Sequence, residues 1–124
     1  MITKFHNAKV KNENTVTLWG DGTPLREFLH VDDLANAIYF CINNNLQENL
    51  YNVGSEDEVS IKQLAEIVKD VIGYQGKIIW DLSFPNGTPR KKLDSSRLNK
   101  LGWTAEIKLI DGIRSTYEFF LTQI

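Results

Sequence analysis

The stretch LWGDGTPLREFLHVDD, from Leu18 to Asp33, decides how the rest of this sequence is interpreted. It opens at the end of the β-branched, apolar run Thr15–Trp19, which is typical of a strand, and continues into GDGTP, a set of turn-forming residues. The alternating run Arg26–Val31 predicts a second strand, so the whole stretch predicts a hairpin. Three uses compete for this turn: a phosphate-binding loop, a metal or acid/base site, and an ordinary hairpin that leads into a helix.

The acidic and imidazole side chains of the stretch favour structural roles. Asp32 and Asp33 precede an apolar stripe at helical spacing, which places them at the N-cap and first turn of a helix, where carboxylates stabilise free N–H groups. His30 is expected on the second strand as a hydrogen-bonding residue. Neither His30 nor His6, the other histidine, has partners at a spacing suited to a metal ion. We therefore expect no metal site, and capping rather than acid/base chemistry.

The GDGTP turn matches neither of the common nucleotide-binding loops. The pattern G-x-x-x-x-G-K-[ST] occurs nowhere in the sequence. Gly20 and Gly22 give G-x-G, but Leu25 occupies the third glycine position, and a strand follows where the dinucleotide motif requires a helix. The chain is therefore expected to hold no cofactor-binding residue.

Composition limits the class of protein. The 124 residues are 42% hydrophobic and 24% charged with a net charge of −2, which is typical of a single globular domain over residues 1–124. The near-neutral charge argues against nucleic-acid binding, and no apolar run is long enough to cross a bilayer. Because the N-terminal stretch lacks an apolar signal region, we expect a cytoplasmic protein. The single cysteine, Cys41, lies on the apolar side of a predicted helix and is expected to be a packed thiol.

Short strands and helices alternate along the chain, which predicts a mixed α/β fold. A helix tail is expected over Ile2–Lys9, and the missing capping residue before it predicts that the chain is a fragment. Ser60 and Gln63 form a capping box for a helix that Gly73 ends. The other expected elements are a buried strand at Asn49–Ser55, a strand at Lys77–Asp81, an extended loop over 83–92, a short helix capped by Asp94 and stopped by Gly102, and an amphipathic helix from Leu109 to the C-terminus.

Cationic and aromatic side chains lie beside the turns. Arg26 follows the Gly-Thr-Pro turn, Lys91 follows PNGTP, and Lys4 lies on the first helix. An arginine at the end of a strand presents its planar fork in a fixed direction, which suits a pyrophosphate, and a nearby lysine adds a point charge. Trp19 offers an apolar wall or an N–H donor to a base or sugar. On composition alone, solvated surface charges are the commoner explanation of such residues.

The successive stretches WGDGTPLREFLHVDDLANAI, YNVGS, SIKQLAEIVKDVIGYQGKIIWD and PNGTPRKKLDSSRLNKLGW resemble the C-terminal portion of the GDP-L-fucose synthases. These enzymes are NADP-dependent GDP-4-keto-6-deoxymannose 3,5-epimerase/4-reductases of the extended short-chain dehydrogenase/reductase superfamily. R-E-F-x-H-V-D-D is shared across that superfamily, whereas G-T-P-R-K followed by L-D-x-x-R-L-x-x-L-G-W points to the fucose synthases. The resemblance covers essentially the whole chain and implies a small mixed α/β substrate-binding domain without its Rossmann domain.

The resemblance implies five substrate-binding residues. Trp19 and Arg26 match the tryptophan and arginine of W-G-x-G-T-P-x-R-E-F, and Lys91 lies in the G-T-P-R-K loop that closes over the nucleotide. Lys4 falls where the family has a basic residue near the substrate. Asn86 stands where the family usually has aspartate, and it keeps an acceptor oxygen but loses the charge and adds a donor.

The resemblance also implies which parts this chain lacks. NADP is bound by an N-terminal Rossmann domain, which carries the catalytic serine, tyrosine and lysine and the cysteine and histidine used in epimerisation. No tyrosine of this chain has a lysine four residues later, so the Tyr-x-x-x-Lys dyad is absent.

We therefore expect the chain to bind a GDP-sugar, to contact the missing Rossmann domain or self-associate, and to give no turnover alone. Two alternatives remain open. The chain could be the substrate domain of another epimerase or dehydratase that acts on UDP- or dTDP-sugars. It could also be a stand-alone, non-catalytic module that binds a nucleotide sugar or a protein.

Overall fold

The computed structural model describes residues 1–124, which form five α-helices and five short β-strands. The helices are α1 (Ile2–Val10), α2 (Val31–Asn43), α3 (Ile61–Ile72), α4 (Ser96–Lys100) and α5 (Leu109–Leu121). The strands are β1 (Thr15–Trp19), β2 (Leu25–Glu27), β3 (Glu58–Ser60), β4 (Lys77–Asp81) and β5 (Arg90–Lys91). The predicted mixed α/β fold is confirmed, and none of the helices combines the length and apolarity needed to span a bilayer.

The strands form two separate small sheets. β1 pairs with β4 in parallel, with Trp19 opposite Asp81. β2 is the central strand of the other sheet, antiparallel to β3 and parallel to β5. Because β1 and β2 belong to different sheets, the predicted hairpin is wrong.

The turn between β1 and β2 is held by the start of α3 and does not fold back on itself. The carbonyl oxygen of Gly22 accepts the N–H of Lys62 at 2.8 Å, and that of Pro24 accepts the N–H of Ile61 at 3.0 Å. Gly22 has a φ of 76°, and the indole of Trp80 fills the space that a Cβ would take there. The chain therefore leaves the first sheet, meets the N-terminus of α3 and enters the second sheet.

α3 begins and ends where the sequence predicts. The N–H of Gln63 donates to Ser60 Oγ at 3.1 Å, and the N–H of Ser60 donates to Gln63 Oε1 at 2.8 Å, which completes the capping box. Gly73 ends the helix with a φ of 72°. Together with the two carbonyls of the preceding turn, the capping box satisfies all four free N–H groups at the helix N-terminus.

The main core lies between the β1/β4 sheet and helices α1, α3 and α5. Phe5 packs edge-on against Tyr74 with ring centroids 5.6 Å apart, and the Tyr74 hydroxyl donates to the carbonyl of Glu13 at 2.9 Å. A smaller core brings α2 against α4, and the half-buried Cys41 packs beside it as a free thiol, as expected. The buried members of the main core are Phe5, Ala8, Val16, Leu18, Leu64, Ala65, Val68, Ile72, Tyr74 and Ile113.

The second predicted strand is shorter than expected, because a helix begins within it. β2 ends at Glu27, and α2 begins at Val31. His30 is therefore the N-cap of α2 and not a strand residue: its Nδ1 accepts the N–H of Asp32 at 3.3 Å.

Asp33 is buried, and its carboxylate contacts the segment before α5, not the N-terminus of its own helix. Its Oδ1 accepts the N–H of Glu106 at 3.2 Å, and its Oδ2 accepts the N–H of Ile107 at 3.0 Å. Asp32, one residue earlier, is exposed in the first turn. The N-cap expected at the aspartate pair is therefore wrong: His30 is the N-cap, Asp32 lies in the first turn without a capping hydrogen bond, and the Asp33 carboxylate joins α2 to the segment before α5.

The strand predicted over Asn49–Ser55 is absent. None of the five strands pairs with this segment, and its residues from Asn49 to Gly54 make no backbone–backbone hydrogen bond. Tyr51 and Val53 pack against the smaller core. The apolar pattern is present, but a strand forms only where a neighbouring strand accepts and donates its hydrogen bonds.

The short helix expected between Asp94 and Gly102 is α4. The hydroxyl and N–H of Ser96 donate to the Asp94 carboxylate and lower its pKa below the ordinary value. The N-cap position itself falls on Ser95, one residue after the predicted cap. Gly102, with a φ of 105°, follows the helix as predicted.

Replacing Asp33 by alanine should lower the free energy of unfolding by about 1–3 kcal/mol, since two backbone N–H groups would lose their acceptor. Urea unfolding followed by circular dichroism measures this loss. Asp32→Ala is the matched control, because it removes an exposed carboxylate from the same helical turn and should cost about 0.5 kcal/mol. Equal losses in the two variants would contradict the role assigned to Asp33.

Candidate functional site

Two loops lie side by side at the carboxyl ends of β1 and β4. We call Gly20–Pro24 the first loop and Leu82–Pro89 the second loop. Both lead into strands of the second sheet, so they connect the two sheets of the fold. The hydrogen bonds that hold them together run from Gly20 N to Asp81 O at 2.9 Å, from Asp21 N to Asn86 Oδ1 at 3.0 Å and from Leu25 N to Pro89 O at 2.8 Å.

The second loop contacts Trp19 and Arg26, the two predicted site residues that flank the first loop. Phe84 stacks on Trp19, with ring centroids 4.4 Å apart and an interplanar angle of 11°. Further along, Gly87 lies so close to Arg26 that a Cβ on this glycine would be 3.1 Å from Arg26 Nη2. Asn86 lies between these two contacts, so the second loop extends from Trp19 to Arg26.

Arg26 and Lys91 are on one face of the second sheet. They are direct partners in the parallel pairing of β2 and β5, and partners in register project to the same side. No carboxylate lies within ion-pair distance of either side chain. Arg26 Nη1 donates to the carbonyl of Leu25 at 2.6 Å, which leaves its other N–H groups for a ligand. This face therefore carries two cations that no internal anion neutralises.

The opposite face of the same sheet carries charges that are paired within the protein. The guanidinium of Arg90 binds Glu58 through both carboxylate oxygens, with Nε–Oε1 at 2.8 Å. This pairing lowers the pKa of Glu58 and raises that of Arg90. The guanidinium of Arg90 is therefore already paired within the protein, although in the sequence Arg90 is simply the first of three consecutive cations.

Asn86 and Lys4 make internal contacts that the sequence does not predict. Asn86 Oδ1 accepts the N–H of Asp21, and the hydroxyl and N–H of Thr23, together with the Asn86 side chain, lower the pKa of Asp21. Lys4 Nζ donates to the carbonyl of Thr17 at 2.7 Å, beside β1. Of the five predicted site residues, the structure brings Trp19, Arg26, Asn86 and Lys91 to the paired loops and their strands, whereas Lys4 lies apart on α1.

The histidine of the opening stretch is not arranged for base catalysis. His30 Nδ1 accepts the N–H of Asp32, and in the neutral ring this assigns the proton to Nε2, which is 3.0 Å from Ser115 Oγ. A base that activates this serine would need the opposite tautomer. The same hydroxyl also contacts the carbonyl of Gly112. The His30–Ser115 contact therefore joins α2 to α5 and carries no catalytic geometry.

Two contributors to the site were missed at the sequence level. Phe84 supports Trp19, and the only sequence signal for it is an aromatic residue inside an otherwise polar turn. Glu27 follows Arg26 directly, and its carboxylate accepts the N–H of Glu56, just before β3, and the N–H of Leu93, just after β5. The only sequence signal for Glu27 is its position in the R-E-F motif, and that motif does not indicate what the carboxylate contacts.

Comparison with known proteins gives one consistent relationship. The sequence profile of the NAD dependent epimerase/dehydratase family matches residues 1–54. The chain is 52% identical over 124 residues to the putative GDP-L-fucose synthase 2 of Arabidopsis thaliana, covering 100% of this chain and 38% of that protein. It is 44% identical over 130 residues to the GDP-L-fucose synthase of Escherichia coli K12, covering 98% of this chain and 40% of that protein.

A solved structure has the same fold. The GDP-L-fucose synthetase of Naegleria fowleri bound to NADP superposes with a TM-score of 0.89 at 27% identity, over 98% of this chain and 39% of that one. The chain thus spans about two fifths of the length of the proteins it matches. Over its whole length, this chain is related to one segment of the GDP-L-fucose synthases.

Proposed function

We propose that this chain is the GDP-sugar-binding part of an NADP-dependent GDP-4-keto-6-deoxymannose epimerase/reductase that makes GDP-L-fucose. The observation that carries the proposal is the placement of Trp19, Arg26, Asn86 and Lys91 on two hydrogen-bonded loops and their strands. The names of the relatives point to the same chemistry, since they are GDP-L-fucose synthases.

The diphosphate of the substrate is assigned to Arg26 and Lys91. A diphosphate carries its charge on several oxygens, and a planar guanidinium beside an ammonium offers both a bidentate and a point contact to it. Two other candidates for anion binding at this end of the fold are occupied, because the N–H groups at the start of α3 donate to protein acceptors and Arg90 is paired with Glu58. Arg26 and Lys91 remain as two adjacent cations without an internal partner.

The base or sugar is assigned to Trp19. One side of its indole is covered by Phe84, and the residue is 66% exposed. A planar, supported and exposed ring is a suitable surface for a purine or a sugar ring. Lys4 remains in the proposal as a cation at the side of β1, and it would have to leave the Thr17 carbonyl to reach a substrate.

We further propose that residues 1–124 form one substrate-binding domain, and that NADP and the catalytic groups belong to a Rossmann domain outside these residues. The surface for that domain is the outer face of α2, where exposed apolar side chains recur at helical spacing. Segment 49–54, with its unpaired backbone, follows α2 in the chain. The exposed side chains of the helix face are Val31, Leu34, Ile38, Tyr39 and Ile42.

GDP should bind the purified chain weakly, with a Kd on the order of 0.1 to 1 mM, because the opposite wall of the site lies outside these residues. Arg26→Ala should weaken binding about ten-fold or more, since it removes a charge-assisted contact to phosphate. NMR chemical-shift titration at fixed low salt measures both constants.

Arg114→Ala is the matched control for this titration, because Arg114 is an exposed arginine on α5 paired only with Asp111. It should leave the affinity for GDP unchanged. UDP and dTDP titrated in parallel test the alternative substrate classes. Tighter binding of either than of GDP would favour another epimerase or dehydratase, and no binding of any nucleotide would contradict a surviving half-site.

Asn86→Asp should raise the pKa of Asp21, because a second carboxylate would replace the amide that now stabilises the ionised form. Asn86→Ala, which removes the amide without adding charge, should raise it less. A 13C NMR titration of the Asp21 carboxyl carbon measures the shift. An unchanged pKa in Asn86→Asp would mean that residues 86 and 21 are not coupled in solution.

A chimera in which these 124 residues replace the matching segment of the Escherichia coli relative should oxidise NADPH with the GDP-keto-sugar substrate. Ile42→Lys in the chimera should abolish turnover by placing a charge on the α2 face, whereas Gln75→Lys, on an exposed loop away from that face, should not. A folded chimera that binds NADPH and GDP without turnover would contradict the proposed activity.

A further inference from the structure

Glu27 follows Arg26 on β2, and its side chain leaves the sheet on the other face. Its Oε1 accepts the N–H of Glu56 at 2.6 Å, and its Oε2 accepts the N–H of Leu93 at 3.2 Å. Gly54 lies against the same carboxylate, so close that any Cβ there would collide with it. Both oxygens of one half-buried carboxylate are therefore used by two segments that are distant in sequence.

One of those segments needs an outside contact to stay in place. β5 contains only Arg90 and Lys91, it is exposed, and it pairs with β2 alone. Strands this short are not stable by themselves. Before β5, the N–H of Leu25 donates to the carbonyl of Pro89; after it, the N–H of Leu93 donates to Glu27. Glu27 therefore fixes the end of β5 that the pairing with β2 leaves free.

The other contact to β5 is of a different kind. Arg90 reaches Glu58 on β3 through a side chain that is 63% exposed. The contact is bidentate and the Glu58 side chain is only 12% exposed, but it joins β5 to β3 through the long Arg90 side chain and so holds the backbone of β5 indirectly. The Glu27 contact acts on the backbone directly, and it comes from the residue next to Arg26.

We propose that Glu27 is a positioning residue: its carboxylate holds β5 in register with β2 and so keeps Lys91 beside Arg26 for a diphosphate. This inference rests on the proposed function of the Arg26–Lys91 face. Loss of the contact frees the end of β5 and lets Lys91 move, although both cations remain in the sequence. GDP affinity then falls without the removal of any group that touches the nucleotide.

The test compares Glu27→Gln with Glu66→Gln, which makes the same charge change at an exposed position of α3. Glutamine has one acceptor oxygen, and its NH2 group would oppose one of the two N–H donors. We expect Glu27→Gln to speed hydrogen exchange of the Leu25 amide, which reports on Pro89 without touching Glu27, and to raise the Kd for GDP about five- to ten-fold. Glu66→Gln should change neither.

A second variant, Glu27→Asp, keeps the charge and both oxygens but is too short to span both donors, so the same two changes are expected. Unchanged Leu25 exchange in folded variants overturns the proposal, as does weaker GDP binding without faster exchange, since that would be a direct charge effect. If the wild-type chain binds no GDP, the proposed function fails on its own. Faster exchange at Leu25 would then still support the positioning role.

Discussion

The hydrogen bonds from the start of α3 to the turn before β2 determine the arrangement of the rest of the fold. The carbonyl of Gly22 accepts the N–H of Lys62 and that of Pro24 accepts the N–H of Ile61, two donors that have no partner within the helix. This contact turns the chain away from β1 and starts a second sheet against α3. Trp19 is left at the end of the first sheet and Arg26 in the middle of the second, so one turn fixes the separation of two proposed substrate contacts.

The second sheet separates its charged residues by face. Glu27, Glu58 and Arg90 are on one side, where each of the three has hydrogen-bond partners, and these contacts hold the strands to each other. Arg26 and Lys91 are on the other side, where no carboxylate approaches. Unpaired cations of like sign on adjacent strands repel each other and weaken the sheet. An anion bound between Arg26 and Lys91 would offset this repulsion, and a diphosphate has the charge and size to do so.

The sequence predicted those elements whose signals are local. The α3 capping box, the glycine after it and the β1 and β4 strands depend on residues close in the chain, and the structure has them as predicted. The hairpin failed because α3, about forty residues later, supplies the partners of the turn. Asp33 was assigned to capping because a first-turn aspartate usually caps, yet its donors are Glu106 and Ile107. The motif residues were identifiable by resemblance, whereas Phe84 and Glu27 act through contacts that no local pattern encodes.

The segment Asn49–Ser55, predicted as a strand, follows α2 in the chain. A run such as NLYNV has the composition of a buried strand, and the structure leaves its backbone unpaired just after a helix whose outer face is apolar and exposed. Exposed apolar side chains on a helix face are unfavourable in water, and the segment without backbone pairing follows that helix in the chain. The proposed substrate side shows the opposite condition: its two loops are hydrogen-bonded to each other, and the N–H groups at the start of α3 all have acceptors. This contrast between the two sides of the fold supports the proposal that a partner domain meets the chain through α2.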